Sequence, residues 1–382
     1  MTIDRRHLIA GGGAAAAVAL SPGVSASRTP QTEPRNFLRA SGQRIVEADG
    51  TTARLQGVAF GNRVWNDERI PVLHHGPDDF KRLADMGMTL VRFYFSHITL
   101  EGPEASWQQG VYLDDGWEWI DRNIEWARAA GVRLSLNLHV PPGGFQSMGA
   151  GGALWDTPAL QDRSVALWRA IAARYVDEPT IIGYDLINEP GVTRDTAQWQ
   201  QLAQRIARAI REVDRNHLVI VERVNSVGGR WDNNAELNFV KIEDPNLVYT
   251  FHNYDPFEFT HQDASWVRER VGQYRTYPAP EKHWDKAGLR EMMRPFVEWG
   301  RRNDVPLYLG EWGAIHHAFE HGRGGLIWAA DMLDVVLEAG LPFTYHVWHE
   351  SNFGLYRGDG PIDHRDCNQP LIDLFKQRLT RT

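Results

Sequence analysis

Short apolar runs recur along the chain, and several open directly after a glycine that closes a helical pattern. Ala84-Asp85-Met86-Gly87 leads into 89–95, Ala129-Ala130-Gly131 into 133–140, and Glu338-Ala339-Gly340 into 342–348. Glycine just past a helix end accepts the left-handed conformation that stops the helix. A near-continuous apolar run behind it reads as a buried strand of a parallel sheet. Helical stripes stand between the runs: Trp117, Ile120, Ile124 and Ala127, then Trp199, Leu202, Ile206, Ile210 and Val213, then Leu326, Ala330, Leu333 and Leu337 recur at three-to-four spacing. Eight strands are predicted, over 55–60, 90–95, 133–140, 181–188, 217–224, 247–254, 307–311 and 343–348. Eight strands alternating with helices over this length make a (β/α)8 TIM barrel, an α/β fold. A doubly wound sheet is the runner-up, but no Gly-x-Gly-x-x-Gly follows the first strand. The weakest link is 226–245, which offers a short helix at best. Ahead of the barrel, 37–55 reads as a β-hairpin turning at Asp49-Gly50, placed to cap one end of the domain.

The strand ends carry the chemistry. Ile181-Ile182-Gly183-Tyr184-Asp185-Leu186-Ile187 is apolar and then stops at Asn188-Glu189-Pro190, and Leu307-Tyr308-Leu309-Gly310 stops in the same way at Glu311. In barrels the carboxyl ends of the strands form the catalytic face. The residues expected there are Arg92, His139, Asn188, Glu189, His252, Tyr254, Glu311 and Trp348. A buried face normally carries apolar groups, and polar ones need partners, so this many polar strand ends point to a site. Two carboxyl groups on one cavity can divide labour as proton donor and nucleophile when their surroundings push their acidities apart. Glycoside hydrolysis uses such a pair. Two long connections, 141–158 and 255–286, leave carboxyl strand ends and overhang the same face; the first carries Trp155, and the second carries Phe257, Phe259 and Trp284. Asp185 reads as a buried partner for an arginine or a tyrosine.

Composition narrows the class without changing it. The 382 residues are 42% hydrophobic and 24% charged, an ordinary globular balance. A net charge of -8 with no long run of one sign argues against nucleic acid or an anionic membrane as partner. The single cysteine, Cys367, rules out an intramolecular disulfide and reads as a small residue near the last helix. Arg5-Arg6, an apolar stretch from Leu8 to Leu20 and Val24-Ser25-Ala26 have the order of an export signal, and the paired arginines match the twin-arginine type in part. The expected division is a signal at 1–26, a polar linker at 27–36 and one barrel domain at 37–382, exported to the periplasm or secreted, without a membrane span, acting as a monomer.

Asn188-Glu189-Pro190, Gly310-Glu311-Trp312-Gly313, Phe251-His252-Asn253-Tyr254 and the arginine of the second strand together resemble glycoside hydrolase family five, the cellulase family, across nearly all of the mature chain. The resemblance implies Glu189 as acid/base and Glu311 as nucleophile. It implies that Arg92 supports the nucleophile, that Tyr254 bonds it, that Asn188 binds the sugar 2-hydroxyl, and that His139 and His252 line the subsite. It also implies that Trp348 is the stacking tryptophan of the eighth strand. One position departs: Asn137 stands where many relatives carry aspartate two residues before the histidine.

The function expected is a retaining glycosidase on an oligo- or polysaccharide, an endo-β-1,4-glucanase that needs no cofactor. A β-mannanase, or an exo-acting or glycolipid β-glycosidase of the same fold, is the alternative. A catalytically dead carbohydrate-binding barrel is the reading from another class, and retention of both glutamates argues against it. His316, His317 and His321 suggest a metal cluster, but the first strand lacks the His-x-His of barrel metallohydrolases, so no metal is expected.

Overall fold

In the computed structural model, which describes residues 36–147, 151–231 and 238–380, the apolar runs lie side by side as parallel strands. The expected signal segment, and the linker apart from Asn36, lie outside the described residues. The barrel strands are Gln56–Phe60, Leu90–Ser96, Arg133–Val140, Ile181–Asp185, Leu218–Glu222, Leu247–His252, Leu307–Trp312 and Phe343–Tyr345, and the eighth pairs with the first to close the ring. Helices Pro77–Asp85, Asp114–Ala129, Pro158–Tyr175, Thr196–Arg211, Lys286–Asn303, Gly325–Glu338 and Gln369–Leu379 surround it. Gly87, Gly131 and Gly340 take φ of 80°, 69° and 67° where they stop their helices. No helix occurs among the described residues of 226–245. No described helix is long and apolar enough to cross a membrane.

The hairpin differs from expectation in its turn. The ladder joins Arg39–Ser41 to Arg44–Val46 around Gly42, where φ is 54°. Asp49-Gly50 makes a second turn instead, held by the Asp49 carboxylate accepting from the Thr51 N–H at 2.9 Å and closed by a single bridge between Val46 and Thr52. Leu38 and Ile45 of the hairpin pack with Leu90, Ile182, Ile220, Val248 and Tyr308, side chains that enter the barrel near its amino-terminal end.

The interior is graded along its axis. On the second strand Leu90 belongs to that apolar plug, Arg92 stands one pleat higher, and Tyr94 stands at the top beside Ala59, Val140 and Val347. The alternate residues Val91, Phe93 and Phe95 face the helices. On the fourth strand a register shift at Gly183 breaks the alternation. Ile182 and Asp185 therefore both turn inward while Tyr184 joins the outer shell.

Three buried indoles tie the helix layer to the catalytic end. Trp168 donates to the Leu186 carbonyl at 2.8 Å, Trp199 to the Glu222 carbonyl at 2.7 Å, and Trp328 to the Asp255 carbonyl at 3.1 Å. Each carbonyl belongs to backbone at or just past a strand end, where ladder partners run out. Trp168→Phe keeps most of the packing and leaves the Leu186 carbonyl unpaired. It is expected to lower stability by about 1–3 kcal/mol, read as a fall in melting temperature; an unchanged melt would show that this bond does not hold the strand end.

Candidate active site

Arg92 is fully buried and organises the catalytic face. Its Nε donates to Asp185 at 2.7 Å, its Nη1 to Glu311 Oε1 at 2.6 Å, and its Nη2 to Asn188 Oδ1 at 3.1 Å, with Glu222 Oε2 at 3.5 Å. The fork therefore joins the ends of the second, fourth, fifth and seventh strands.

Glu311 is nearly surrounded by donors. Oε1 accepts from Arg92 and from the Tyr94 hydroxyl at 2.7 Å, and Oε2 accepts from the Tyr254 hydroxyl at 2.7 Å. Burial pushes its carboxyl up, but the charges of His252 and Arg92 outweigh burial and hold it well below the usual carboxylate range. Glu189 is placed differently. Its side chain is 17% exposed, its Oε1 lies 2.9 Å from His252 Nδ1, and its backbone sits at φ 44°. A left-handed residue other than glycine needs an anchor, and here the Glu189 N–H donates to Glu222 Oε2 at 3.0 Å.

The remaining predicted residues fall on the same face, with one exception. His139 is buried with its ring stacked on Tyr94 at 4.0 Å, and its Nδ1 lies 3.0 Å from Asn137 Oδ1. The residue that replaces the expected aspartate thus still orients this histidine. Asp185 is the arginine partner the sequence suggested. Trp348 is the correction: it is fully buried, donates to Asp79 at 3.2 Å and packs on Phe60 and Tyr356. The eighth strand ends at Tyr345, and the Trp348 N–H bonds the Ala59 carbonyl, which carries its ring outward behind the first strand. His346 takes the inward position, with its Nδ1 3.9 Å from Glu311 Oε2. The loop aromatics are corrected too. Trp155, Phe259 and Trp284 are buried, and Trp155 bonds Gln146 at 2.8 Å. Half-buried Trp65, Phe145 and Tyr254 edge the site instead.

Three site residues escaped the sequence reading. Tyr94 shares the inward parity of Arg92. Glu222 ends the fifth strand much as Glu311 ends the run on the seventh. His346 shares the parity of Trp348, one pleat nearer the ladder. Among the described residues two groups bring potential ligand atoms within 4.8 Å of one another: Glu189 with His252 and Glu311, and His316 with His317 and Glu320; His321 joins neither. In the first group both Glu311 oxygens already accept hydrogen bonds, so it is built as a proton and charge network.

Glu222 balances that network. Burial, reinforced by Glu189 and Asp185, pushes its carboxyl up to about 8, while His252, with Nε2 3.4 Å away, and Arg92 pull the other way. The His252 imidazole is raised in turn: burial alone would lower it, but Glu222, Glu311 and Glu189 together prevail.

A parallel barrel with two glutamates from the ends of the fourth and seventh strands, brought together on one face with a histidine between them and an arginine on the second, defines a barrel glycosidase. The family model described as Cellulase (glycosyl hydrolase family 5) matches residues 46–352, and the chain belongs to that family. It is 28% identical to Endoglucanase C of Acetivibrio thermocellus over 79% of this chain and 91% of that protein. It is 26% identical to Cellodextrinase A of Ruminococcus flavefaciens over 62% of this chain and 68% of that one. The fold matches Cel5A of Thermotoga maritima, solved with mannotriose, at a TM-score of 0.67 and 24% identity, over 84% of this chain and 96% of that one. The protein is an enzyme, a glycosidase of the cellulase family.

The raised Glu222 pKa has a measurable consequence. The folded state holds a proton that the unfolded state has released, so the stability linked to it is full below about 4.5 and is lost as pH rises towards about 8. Glu222→Gln removes that titration, and the melting temperature of the variant should fall less than that of the wild type across this window. Parallel curves would show that Glu222 does not titrate there. Glu222→Ala, which also frees the Glu189 N–H, should lose turnover by as much as about 10²-fold.

Proposed function

We propose that the enzyme is a retaining, endo-acting β-1,4-glucanase with Glu311 as nucleophile and Glu189 as acid/base. The observation that carries this reading is the closeness of the pair: an oxygen of Glu189 and an oxygen of Glu311 lie within 4.8 Å of each other. Retaining enzymes hold their carboxyl groups about 5–5.5 Å apart, whereas inverting ones leave about 6.5–9.5 Å for a water.

The steps follow from the surroundings of each group. Glu311, kept ionised, attacks the anomeric carbon while Glu189 gives its proton to the glycosidic oxygen, and the leaving sugar departs. Glu189, now a carboxylate beside His252, takes a proton from water. The hydroxide formed attacks the same carbon and releases Glu311. Arg92, Tyr94 and Tyr254 stabilise the carboxylate that reappears in this second step, at some expense of its nucleophilicity in the first. Asn188, held by Arg92, offers its amide to the 2-hydroxyl, and His139 and His252 border the same sugar. The glucan reading rests on the endoglucanases among the relatives. The endo reading rests on Trp65 and Phe145, aromatic faces beside the reacting pair on which further sugar rings can stack. The amino-terminal segment is read as an export signal of the twin-arginine type.

Glu311→Ala should abolish turnover, and added azide should restore part of it with an inverted glycosyl azide as product. NMR of the first product of the wild type should show the anomeric configuration retained. Carboxymethyl cellulose should lose viscosity quickly and yield mixed oligosaccharides. Wild-type turnover by Glu311→Ala would remove the nucleophile assignment, first-formed inverted product would remove the retaining mechanism, and release of monosaccharide alone would remove the endo assignment. Action confined to a mannan would replace the substrate.

A further inference from the structure

We propose that the eighth strand contacts the reacting sugar through His346, as a hydrogen-bonding group and not as a stacking platform. The proposal rests on the reading of Glu189 and Glu311 given above.

The other side chains at this strand end are committed elsewhere. Phe343 and Tyr345 belong to the outer core, and Thr344 donates to the Gly310 carbonyl inside the barrel. Val347 is buried in the upper apolar cluster, and Trp348 is bonded to Asp79. His346 remains, its side chain 13% exposed beside Glu311.

Its hydrogen bonds set its tautomer. The Tyr94 hydroxyl gives its proton to Glu311 Oε1, so the Tyr94 oxygen can only accept from the nitrogen 3.2 Å away, His346 Nδ1. With the proton on Nδ1, and with burial keeping the ring neutral, Nε2 carries a free lone pair. The described hydrogen bonds of the ring use Nδ1 alone. An acceptor at this place suits a sugar hydroxyl, which must give its proton to something when it leaves water. The ring itself is poorly placed to stack on a sugar face: Tyr94 lies nearly parallel to it at 6.1 Å, and Trp65, Tyr254 and Phe353 are packed edgewise within 6.4 Å.

The test uses three variants of the full chain, on a soluble β-glucan or aryl β-glycoside that the wild type cleaves. Glutamine reaches about as far as Nε2 and keeps an acceptor, so His346→Gln should stay within a few-fold of wild-type kcat/KM. His346→Ala and His346→Trp should each lose about tenfold or more, the worth of one buried hydrogen bond and its unpaired partner. A His346→Trp variant as active as wild type would make the wall a stacking one, and wild-type activity in His346→Ala would mean no contact; either result overturns the proposal. To separate contact from an effect relayed through Tyr94, the alanine change is repeated in a Tyr94→Phe background. A loss that persists there supports contact, and a loss that vanishes there overturns it. Melting temperatures identify any variant that fails to fold, and the remaining two still decide between acceptor and platform. If the wild type cleaves no glycoside, the glycosidase reading fails and this one with it. If it cleaves one and the variants depart from this pattern, only the His346 assignment fails.

Discussion

A guanidinium with no exposed surface lies at the centre of the barrel, and most of the catalytic face is arranged to make that charge tolerable. Taking an ion out of water costs several kcal/mol, which only well-placed counter-charges and hydrogen bonds return. Arg92 is matched by Asp185 and Glu311 as close ion partners, by Asn188 as a neutral acceptor and at longer range by Glu222, so its fork joins four strands. The planar guanidinium suits this role because its donors point in fixed directions. Removing it would leave two carboxylates buried without their cation, a loss of about 3–5 kcal/mol for a broken buried pair. The site and the fold near it are therefore one electrostatic unit.

Around that unit the protein separates two tasks that a single glutamate could not perform. Glu311 accepts from three donors and is kept ionised. Glu189 stands partly exposed on a left-handed backbone, bonded to one histidine. The third carboxyl, Glu222, holds the backbone of the second and shares its proton balance with His252. Difference in environment, not in residue type, sets the chemistry.

The barrel, the starts of its strands and the pairing of Glu189 with Glu311 were legible because apolar runs ending in a carboxylate are a local signal, and glycine stops mark the helix ends. What escaped depended on longer range. Whether Trp348 or His346 points inward depends on where the eighth strand leaves its ladder, and that is decided by the bond from Trp348 to Ala59, far apart in sequence. Trp155, Phe259 and Trp284 looked like platforms because they sit in loops, but loops of this length fold back and bury their own aromatics. Glu222 was hidden because Arg223 and Val224 follow it with no glycine or proline stop, so nothing local marks the end of its strand. Two turns form in succession, at Gly42 and at Asp49-Gly50, and only the second carries a strong turn dipeptide, so the first, where the ladder lies, escaped notice.

The hairpin plug at the amino-terminal end also determines how the site is wetted. With Leu38 and Ile45 seated against Leu90, Ile182 and Tyr308, that end of the barrel is filled. The side open to solvent is then the one where Glu189 stands, its side chain 17% exposed. A ligand seated there would displace solvent, and the dielectric around Arg92 and Glu311 would fall. Their mutual field would strengthen with no atom of either moving. The small sheet at the far end of the molecule thus sets the conditions under which a charge developing at the opposite end would be felt.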